Sequence, residues 1–108
     1  MNELFEIYKR IEYLRNNGVK MKEIADHTQM AASVLSSLYS SVLPTFIGDV
    51  KKGIAEEEAL DYALSQVNNV SKKRLLGNLE DMKERLFELE PPQGGEKRKS
   101  PFWDMMAR

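Results

Sequence analysis

Apolar side chains along this chain recur at the spacing of an α-helix. Near the start, Leu4, Tyr8, Ile11 and Leu14 fall three or four positions apart, so they share one face of a helix over about residues 3–16. No segment alternates apolar and polar residues over several positions, which is the pattern of a half-buried strand. The periodicity therefore predicts an all-α fold.

Glycines, prolines and capping residues divide the rest of the chain into further helices. Asn17-Gly18 ends the first helix, since glycine readily takes the left-handed conformation that closes a helix. Pro44 either ends a helix or opens the next, because proline is tolerated in the first helical turn but not in the interior. The predicted helices cover about residues 21–27, 31–41, 45–52, 56–67 and 72–89. We expect them to form a compact bundle of five or six helices within residues 1–90.

The last predicted helix carries an apolar stripe with alternating spacings of four and three. The stripe consists of Leu75, Leu79, Met82, Leu86 and Leu89. Such spacing is typical of a coiled-coil seam, but it extends over only about two heptads. We interpret the stripe as part of the protein's own core. Self-association into a homodimer through the same five residues is the alternative.

The character of the sequence changes after Glu90. Residues 91–108 begin with a run rich in Pro, Gly and charged residues, which is typical of a linker. An apolar cluster follows, and it consists of Phe102, Trp103, Met105 and Met106. We expect a flexible tail here and interpret the cluster as the start of a further region. Docking of the cluster onto this or another domain is the alternative.

The composition is that of a soluble globular protein. Of the 108 residues, 42% are hydrophobic and 31% are charged, which suits one domain with a modest core. The chain has no cysteine, so disulfides and thiolate metal sites are excluded. No apolar run approaches the roughly 18 residues of a membrane span, and the acidic N-terminus does not resemble a signal peptide. We therefore expect a cytoplasmic protein without a membrane partner.

The net charge of −1 hides an uneven distribution along the chain. Between Gly53 and Glu90 there are nine acidic and five basic side chains, whereas up to Lys52 there are six acidic and seven basic ones. The acidic excess thus lies outside residues 21–41. A domain-wide basic surface, which is common in proteins that bind nucleic acids, is absent.

Residues 21–41 have the spacing of a helix-turn-helix. Ala25 is small enough for the second helix to cross the first closely, and Met30 follows where an aliphatic residue fills the core. Ten residues after Ala25, Leu35 anchors the second helix. Gln29 occupies the turn position at which glycine is usual, because the backbone there takes a positive φ.

This segment resembles the helix-turn-helix of lambda-repressor-like (XRE-type) transcriptional regulators. The matching residues are Ile24-Ala25, Met30, Leu35-Ser36 and Pro44, and the resemblance covers about residues 3–64. The chain differs from the family pattern at Gln29, which replaces the turn glycine, and at Ala31, which replaces the serine that caps the second helix. Lys20 or Met21 stands where the family has a capping Ser or Thr for the first helix.

The resemblance implies a DNA-binding transcriptional regulator that inserts the helix at about 31–41 into the major groove. The residues that it would bring to double-stranded DNA are Lys20, Lys22, Ala31, Ala32, Ser33, Ser36, Ser37, Ser40, Lys51 and Lys52. Serine hydroxyls and alanine methyl groups would face the bases, lysines would contact phosphates, and Tyr39 would lie near the rim. Because residues 31–41 contain no Lys, Arg, Asn or Gln, we expect weak and salt-dependent binding.

A different class of function suits the same scaffold, namely an α-helical protein-interaction or oligomerisation module that does not bind DNA. Small Ala and Ser side chains also allow another helix to approach closely. His27 is the only histidine, so no second His or Cys completes a metal site, and no nucleophile-elbow glycines surround any serine. We interpret His27 as a hydrogen-bonded turn residue, and we expect no enzyme activity and no cofactor.

Overall fold

Helices are the only regular secondary structure in residues 2–91, the part of the chain that this computed structural model describes. They are α1 (Asn2–Asn16), α2 (Met21–Thr28), α3 (Ala32–Ser37), α4 (Leu43–Lys51), α5 (Glu56–Ser65), α6 (Lys72–Gly77) and α7 (Leu79–Glu88). The prediction of an all-α fold is confirmed. The predicted linker after Pro91 and the apolar cluster at residues 102–106 lie outside the described residues.

Every helix within residues 2–91 contributes to one buried core. The largest fully buried side chains are those of Phe46, Leu4, Ile7, Ile11, Leu14, Ile24, Leu35, Leu38, Leu43, Leu60, Leu86 and Val42. Burying one such side chain stabilises the fold by roughly 1.5–3 kcal/mol relative to leaving it in water. The buried face of α1 is rotated slightly from the predicted one, since Ile7 is fully buried whereas Tyr8 is only partly so.

Helices α1 and α7 lie side by side and run in the same direction. Near the start of both helices, the Lys83 ammonium lies 3.0 Å from the Glu6 carboxylate. Further along both, Arg10 reaches the end of α7, where its Nε donates to the Leu86 carbonyl at 3.1 Å and its Nη2 to the Leu89 carbonyl at 2.8 Å. Because the last carbonyls of a helix have no partner within it, a cation there satisfies them and opposes the helix dipole. Arg10 therefore fixes the end of α7 onto α1.

Replacing Arg10 by Met is expected to lower the free energy of unfolding by about 1–2 kcal/mol. The substitution keeps an apolar stem but removes both hydrogen bonds and the cation that lies 4.9 Å from the ring centroids of Tyr13 and Phe87. Urea denaturation measures the change. The matched control is Lys9→Met, which removes a charge from an exposed position of the same helix. Equal effects of the two substitutions would contradict the capping role of Arg10.

Helices α3 and α4 form one continuous helix, Ala32–Lys51, which we call the long helix. A π turn at Leu38–Val42 joins them, and the Leu43 N–H donates to the Leu38 carbonyl five positions back. Pro44 lies in the first turn of α4. Proline has no N–H and its ring clashes with the carbonyl four residues earlier in an α-helix, so the wider turn before it allows the chain to continue. Pro44 therefore opens α4, as one of the two predicted alternatives has it, but the expected break between this helix and the preceding one is absent.

The predicted helix at residues 72–89 is divided into α6 and α7 at Asn78. The backbone of Asn78 leaves the helical region at φ −116° and ψ 11°, and its side-chain amide donates to the Arg74 carbonyl at 2.8 Å. Gly77 precedes it, and glycine is a poor helix former because it loses the most backbone entropy. The amide of Asn78 thus satisfies a carbonyl at the end of α6.

The apolar stripe on α6 and α7 packs against the chain's own core. Leu75, Met82 and Leu86 are buried, and Leu79 and Leu89 are partly buried against the same cluster. The packing of the stripe within this chain therefore agrees with its interpretation as part of the protein's own core. The homodimer through these five residues stays a prediction, and it would require the three buried side chains to leave the core.

Within residues 2–91 no single helix is both long enough and apolar enough to span a membrane. Helix α2 and the long helix reach that length and apolarity only together, across the bend between them.

Candidate nucleic-acid interface

The chain turns sharply between α2 and the long helix, with a bend of 116°. Only residues 29–31 separate the two helices. Helix-turn-helix motifs join two helices at about 90–120° through a turn of three or four residues. The geometry at this position is therefore that of a helix-turn-helix.

The turn depends on a left-handed backbone at Gln29, which has φ 60° and ψ 41°. Gln29 is the only residue other than glycine with a positive φ in the described part of the chain. Its N–H donates to the Asp26 carbonyl at 3.2 Å, and the Met30 N–H donates to the Ala25 carbonyl at 2.9 Å. This pair of bonds is a Schellman motif, which normally has glycine at the left-handed position. The turn adopts the Schellman conformation although the sequence lacks a glycine at this position.

Replacing Gln29 by Gly is expected to raise the free energy of unfolding by about 1 kcal/mol, because glycine takes a positive φ without the steric penalty of a Cβ. Urea denaturation measures the gain. The matched control is Gln66→Gly, since Gln66 ends α5 with an ordinary φ of −81°. That substitution should lower stability by up to about 1 kcal/mol. Changes of the same sign in both variants would contradict a strained turn at Gln29.

The core positions of the motif lie where the sequence predicts them. Ile24, Ala25 and Leu35 are buried, and Met30 is partly buried against the same cluster. Thr28 is the buried polar residue of the motif, and its hydroxyl donates to the Ile24 carbonyl at 2.8 Å. This packing fixes the direction of α3 relative to α2.

The two helix starts lack the usual capping side chains. At the start of α2, the Lys20 N–H donates to the Glu23 carboxylate at 3.1 Å, so a glutamate one turn later supplies half of a capping box. Ala31 is the N-cap of α3 and provides no side-chain acceptor. The first N–H groups of α3 are therefore open to an external acceptor.

The exposed face of α3 is small and uncharged. Ala31, Ala32, Ser33, Ser36 and Ser40 are exposed, and Ser37 is half-buried. The Ser40 hydroxyl donates to the Ser36 carbonyl at 2.7 Å, which leaves it as an acceptor only. Within residues 2–91 the hydroxyls of Ser33, Ser36 and Ser37 form no hydrogen bond, so they can donate or accept.

The four candidate lysines lie at two different places. Lys20 and Lys22 are exposed at the start of α2, and neither ammonium forms an ion pair with a described residue. Lys51 and Lys52 lie at the far end of the long helix. At 1.5 Å per residue, that end is about 28 Å from Ala32. The resemblance would bring all four lysines to DNA, but the continuous helix separates Lys51 and Lys52 from the start of α3.

Asn69 is a neighbour of α3 that the sequence did not reveal. It lies in the loop between α5 and α6, and its side-chain amide donates to the Ser33 carbonyl at 3.2 Å. In the sequence, Asn68-Asn69 indicates only a turn, because the two partners are 36 positions apart. The loop brings amide groups next to a helix that has none on its own face.

Tyr39 does not lie at the rim of the face that would contact DNA but packs against α1. Its ring stacks on that of Tyr8, with centroids 5.3 Å apart and an angle of 27° between the planes. Burial raises the pKa of the Tyr39 phenol above its usual value, and the neighbouring Tyr8 and Glu12 raise it further. Tyr39 therefore belongs to the contact between α1 and the π turn.

His27 differs from its predicted state. Its Nε2 is buried without a hydrogen-bond partner in the described part of the chain, and the nearest acid, Glu88, lies 4.0 Å away. The interpretation of His27 as a hydrogen-bonded residue is therefore wrong, because its ring nitrogen faces α7 rather than a backbone carbonyl. No group of three or more His, Asp or Glu side chains in residues 2–91 is arranged to hold a metal ion.

Comparisons with protein families, with curated proteins and with solved structures found no match to this chain. The resemblance to lambda-repressor-like regulators thus depends on the residues of the motif and on the geometry of its turn.

Proposed function

We propose that residues 2–91 form a DNA-binding domain of a transcriptional regulator, with α3 entering the major groove. The observation that supports this most is the 116° bend between α2 and the long helix, together with the left-handed backbone at Gln29. Directly after the bend, Ala31, Ala32 and Ser33 are exposed at the start of α3. In known helix-turn-helix proteins, the start of the second helix contacts base edges.

The chemistry of this face predicts binding with limited specificity. Ser33, Ser36 and Ser37 can each donate one hydrogen bond to a base, and the Ala32 methyl can contact a thymine methyl. None of these groups makes the bidentate contacts that give most base discrimination. Lys20 and Lys22 and the uncapped N–H groups of α3 are suited to phosphate oxygens, so most of the affinity should come from phosphate contacts.

Fluorescence anisotropy with a labelled duplex tests the proposal. At about 50 mM salt we expect a dissociation constant in the micromolar range, and the affinity should fall as salt is added. Absence of binding at tens of micromolar protein, roughly the affinity of non-specific binders, would contradict the proposal.

The two pairs of lysines supply a matched control for this experiment. The double substitution of Lys20 and Lys22 by Gln should reduce the slope of log affinity against log salt by about 2, since each phosphate contact contributes about 0.9. The same substitution at Lys51 and Lys52 removes two charges at the far end of the long helix. It should leave the slope nearly unchanged, and equal effects of the two pairs would contradict insertion of α3.

A protein-interaction module is the second candidate function, and the absence of charge favours it. No charged residue occurs between Thr28 and Gly48, which includes the entire exposed face of α3. Sedimentation velocity over a range of concentrations separates the two candidates. Association that is abolished by Ser36→Glu, in a chain that does not bind DNA, would support the module. A monomer at all concentrations that binds DNA would support the regulator.

A further inference from the structure

A cavity of about 590 Å³ lies between the helix-turn-helix and the pair α6 and α7. The turn at Gln29, Met30 and Ala31 forms one wall, and residues of α6 and α7 form the other. Small-molecule sites in proteins usually have volumes of about 300–1,000 Å³. The cavity therefore has the size of a site for a compact organic ligand.

The lining combines apolar side chains with a polar rim. Leu38, Leu75 and Met82 lie at the core side, where each is at least nine-tenths buried, and Val34 is partly buried beside them. Exposed polar side chains, including that of Asn78, surround the opening. Eight of the fifteen lining residues are polar, so the cavity offers apolar contacts, which supply affinity, and polar groups, which supply orientation.

Two ionisable side chains line the cavity, Arg74 and Asp81, and only one of them is paired. The Asp81 carboxylate accepts from the Arg85 Nε at 2.9 Å, so its charge is balanced. The Arg74 guanidinium forms no ion pair with any residue in the described range. Among the residues that line the cavity, Arg74 thus supplies an exposed positive charge without an ion-pair partner in the described range.

From this arrangement we infer that the cavity binds a small amphipathic anion. Its apolar part would contact Val34, Leu75 and Met82, and its acidic group would accept hydrogen bonds from Arg74. A guanidinium suits a carboxylate, sulfonate or phosphate group because its planar N–H donors match two oxygens at once. The inference does not depend on DNA binding, since no nucleic-acid contact enters it.

Titration with 8-anilinonaphthalene-1-sulfonate, an aromatic sulfonate whose fluorescence rises in apolar surroundings, tests the inference. N-phenyl-1-naphthylamine has the same rings without the sulfonate and serves as the neutral probe. We expect saturable one-to-one binding of the sulfonate. Its ¹H–¹⁵N chemical shift changes should be confined to the cavity residues, such as Met30, Val34 and Leu75.

Two substitutions on α6 distinguish specific binding in the cavity from non-specific binding of the probe to the protein surface. Arg74→Gln should weaken sulfonate binding by about tenfold or more, as expected for loss of a charged hydrogen bond, and should change binding of the neutral probe by less than about twofold. Lys73→Gln removes a charge from the adjacent exposed position, which does not line the cavity. It should leave both probes unaffected. Equal effects of the two substitutions, non-saturable binding, or shift changes centred on exposed Tyr13 and Phe87 would overturn the inference.

Discussion

Replacing Ser36 by Glu is expected to weaken binding to duplex DNA by about two orders of magnitude. Ser36 lies in the middle of the exposed face of α3, so a carboxylate there would face the phosphates and the acceptor atoms of the groove. Like charges brought together in an interface cost several kcal/mol, and each 1.4 kcal/mol corresponds to about a tenfold change in affinity. Anisotropy with the same labelled duplex at low salt measures the loss.

The control for Ser36→Glu adds the same charge beyond the far end of the long helix. Ala55 is exposed and precedes α5, and Ala55→Glu changes the net charge of the domain by the same amount. It should alter DNA affinity only slightly, by less than about threefold, because ions screen separated surface charges. Circular dichroism should show that both variants keep their helices. If Ala55→Glu weakened binding as much as Ser36→Glu, the effect would be one of net charge, and α3 would not be the contact surface.

Replacing Leu35 by Ala is expected to lower the free energy of unfolding by about 3 kcal/mol, within the range of 2–5 for a fully buried leucine. Leu35 is 0% exposed, and it anchors α3 against the core beneath the helix-turn-helix. The loss combines the transfer energy of the removed carbons with the cavity left behind. For a domain of this size the melting temperature should fall by roughly 10–25 °C, which differential scanning calorimetry measures.

The same truncation at an exposed leucine provides the comparison. Leu76 lies on α6 with 36% of its surface accessible, so Leu76→Ala should lower stability by well under about 1 kcal/mol. A loss at Leu35 no larger than that at Leu76 would mean that α3 is not anchored through Leu35. The position of the helix-turn-helix relative to the core would then need a different explanation.

The helices could be predicted from the sequence because helical periodicity is a local property. Leu4, Ile11 and Leu14 repeat at the helical spacing, and all three are fully buried. The buried positions of the motif, Ala25 and Leu35, follow from the same rule and from the close crossing of two helices. Such signals depend only on neighbours within a few positions, so one sequence is sufficient to read them.

The continuity of the long helix could not be predicted from local sequence rules. It depends on whether packing of the flanking apolar residues outweighs the tendency of Pro44 to interrupt a helix. Pro44 normally interrupts a helix, and the sequence contains no separate signal for the π turn that accommodates it. The kink at Asn78 has a similar origin, since Gly77-Asn78 weakens a helix without fixing whether it ends. In both cases packing of the flanking apolar residues on the core selects the outcome.

In the candidate interface, too, some features follow from the local sequence and others depend on packing. Gln29 differs from the family pattern in chemistry, yet the surrounding helices hold it in the left-handed conformation. The contact of Asn69 with Ser33 depends on how distant segments meet, and the separation of Lys51 from α3 depends on the continuity of the long helix through Pro44. Local sequence rules therefore predict the scaffold and the exposed serines, but not the neighbours of these serines.

The pairing of α1 with α7 bears on the order in which a nascent chain can fold. The acceptors of the Arg10 side chain lie 76 and 79 positions later in the sequence, and α2 also packs against α7. When the growing polypeptide has emerged through α5, the surfaces of α1 and α2 that contact α7 are still uncovered. Contacts between such distant segments also slow folding, because a long loop must close before they form. The contacts of α1 and α2 with α7 are consequently completed only after α7 has been synthesised.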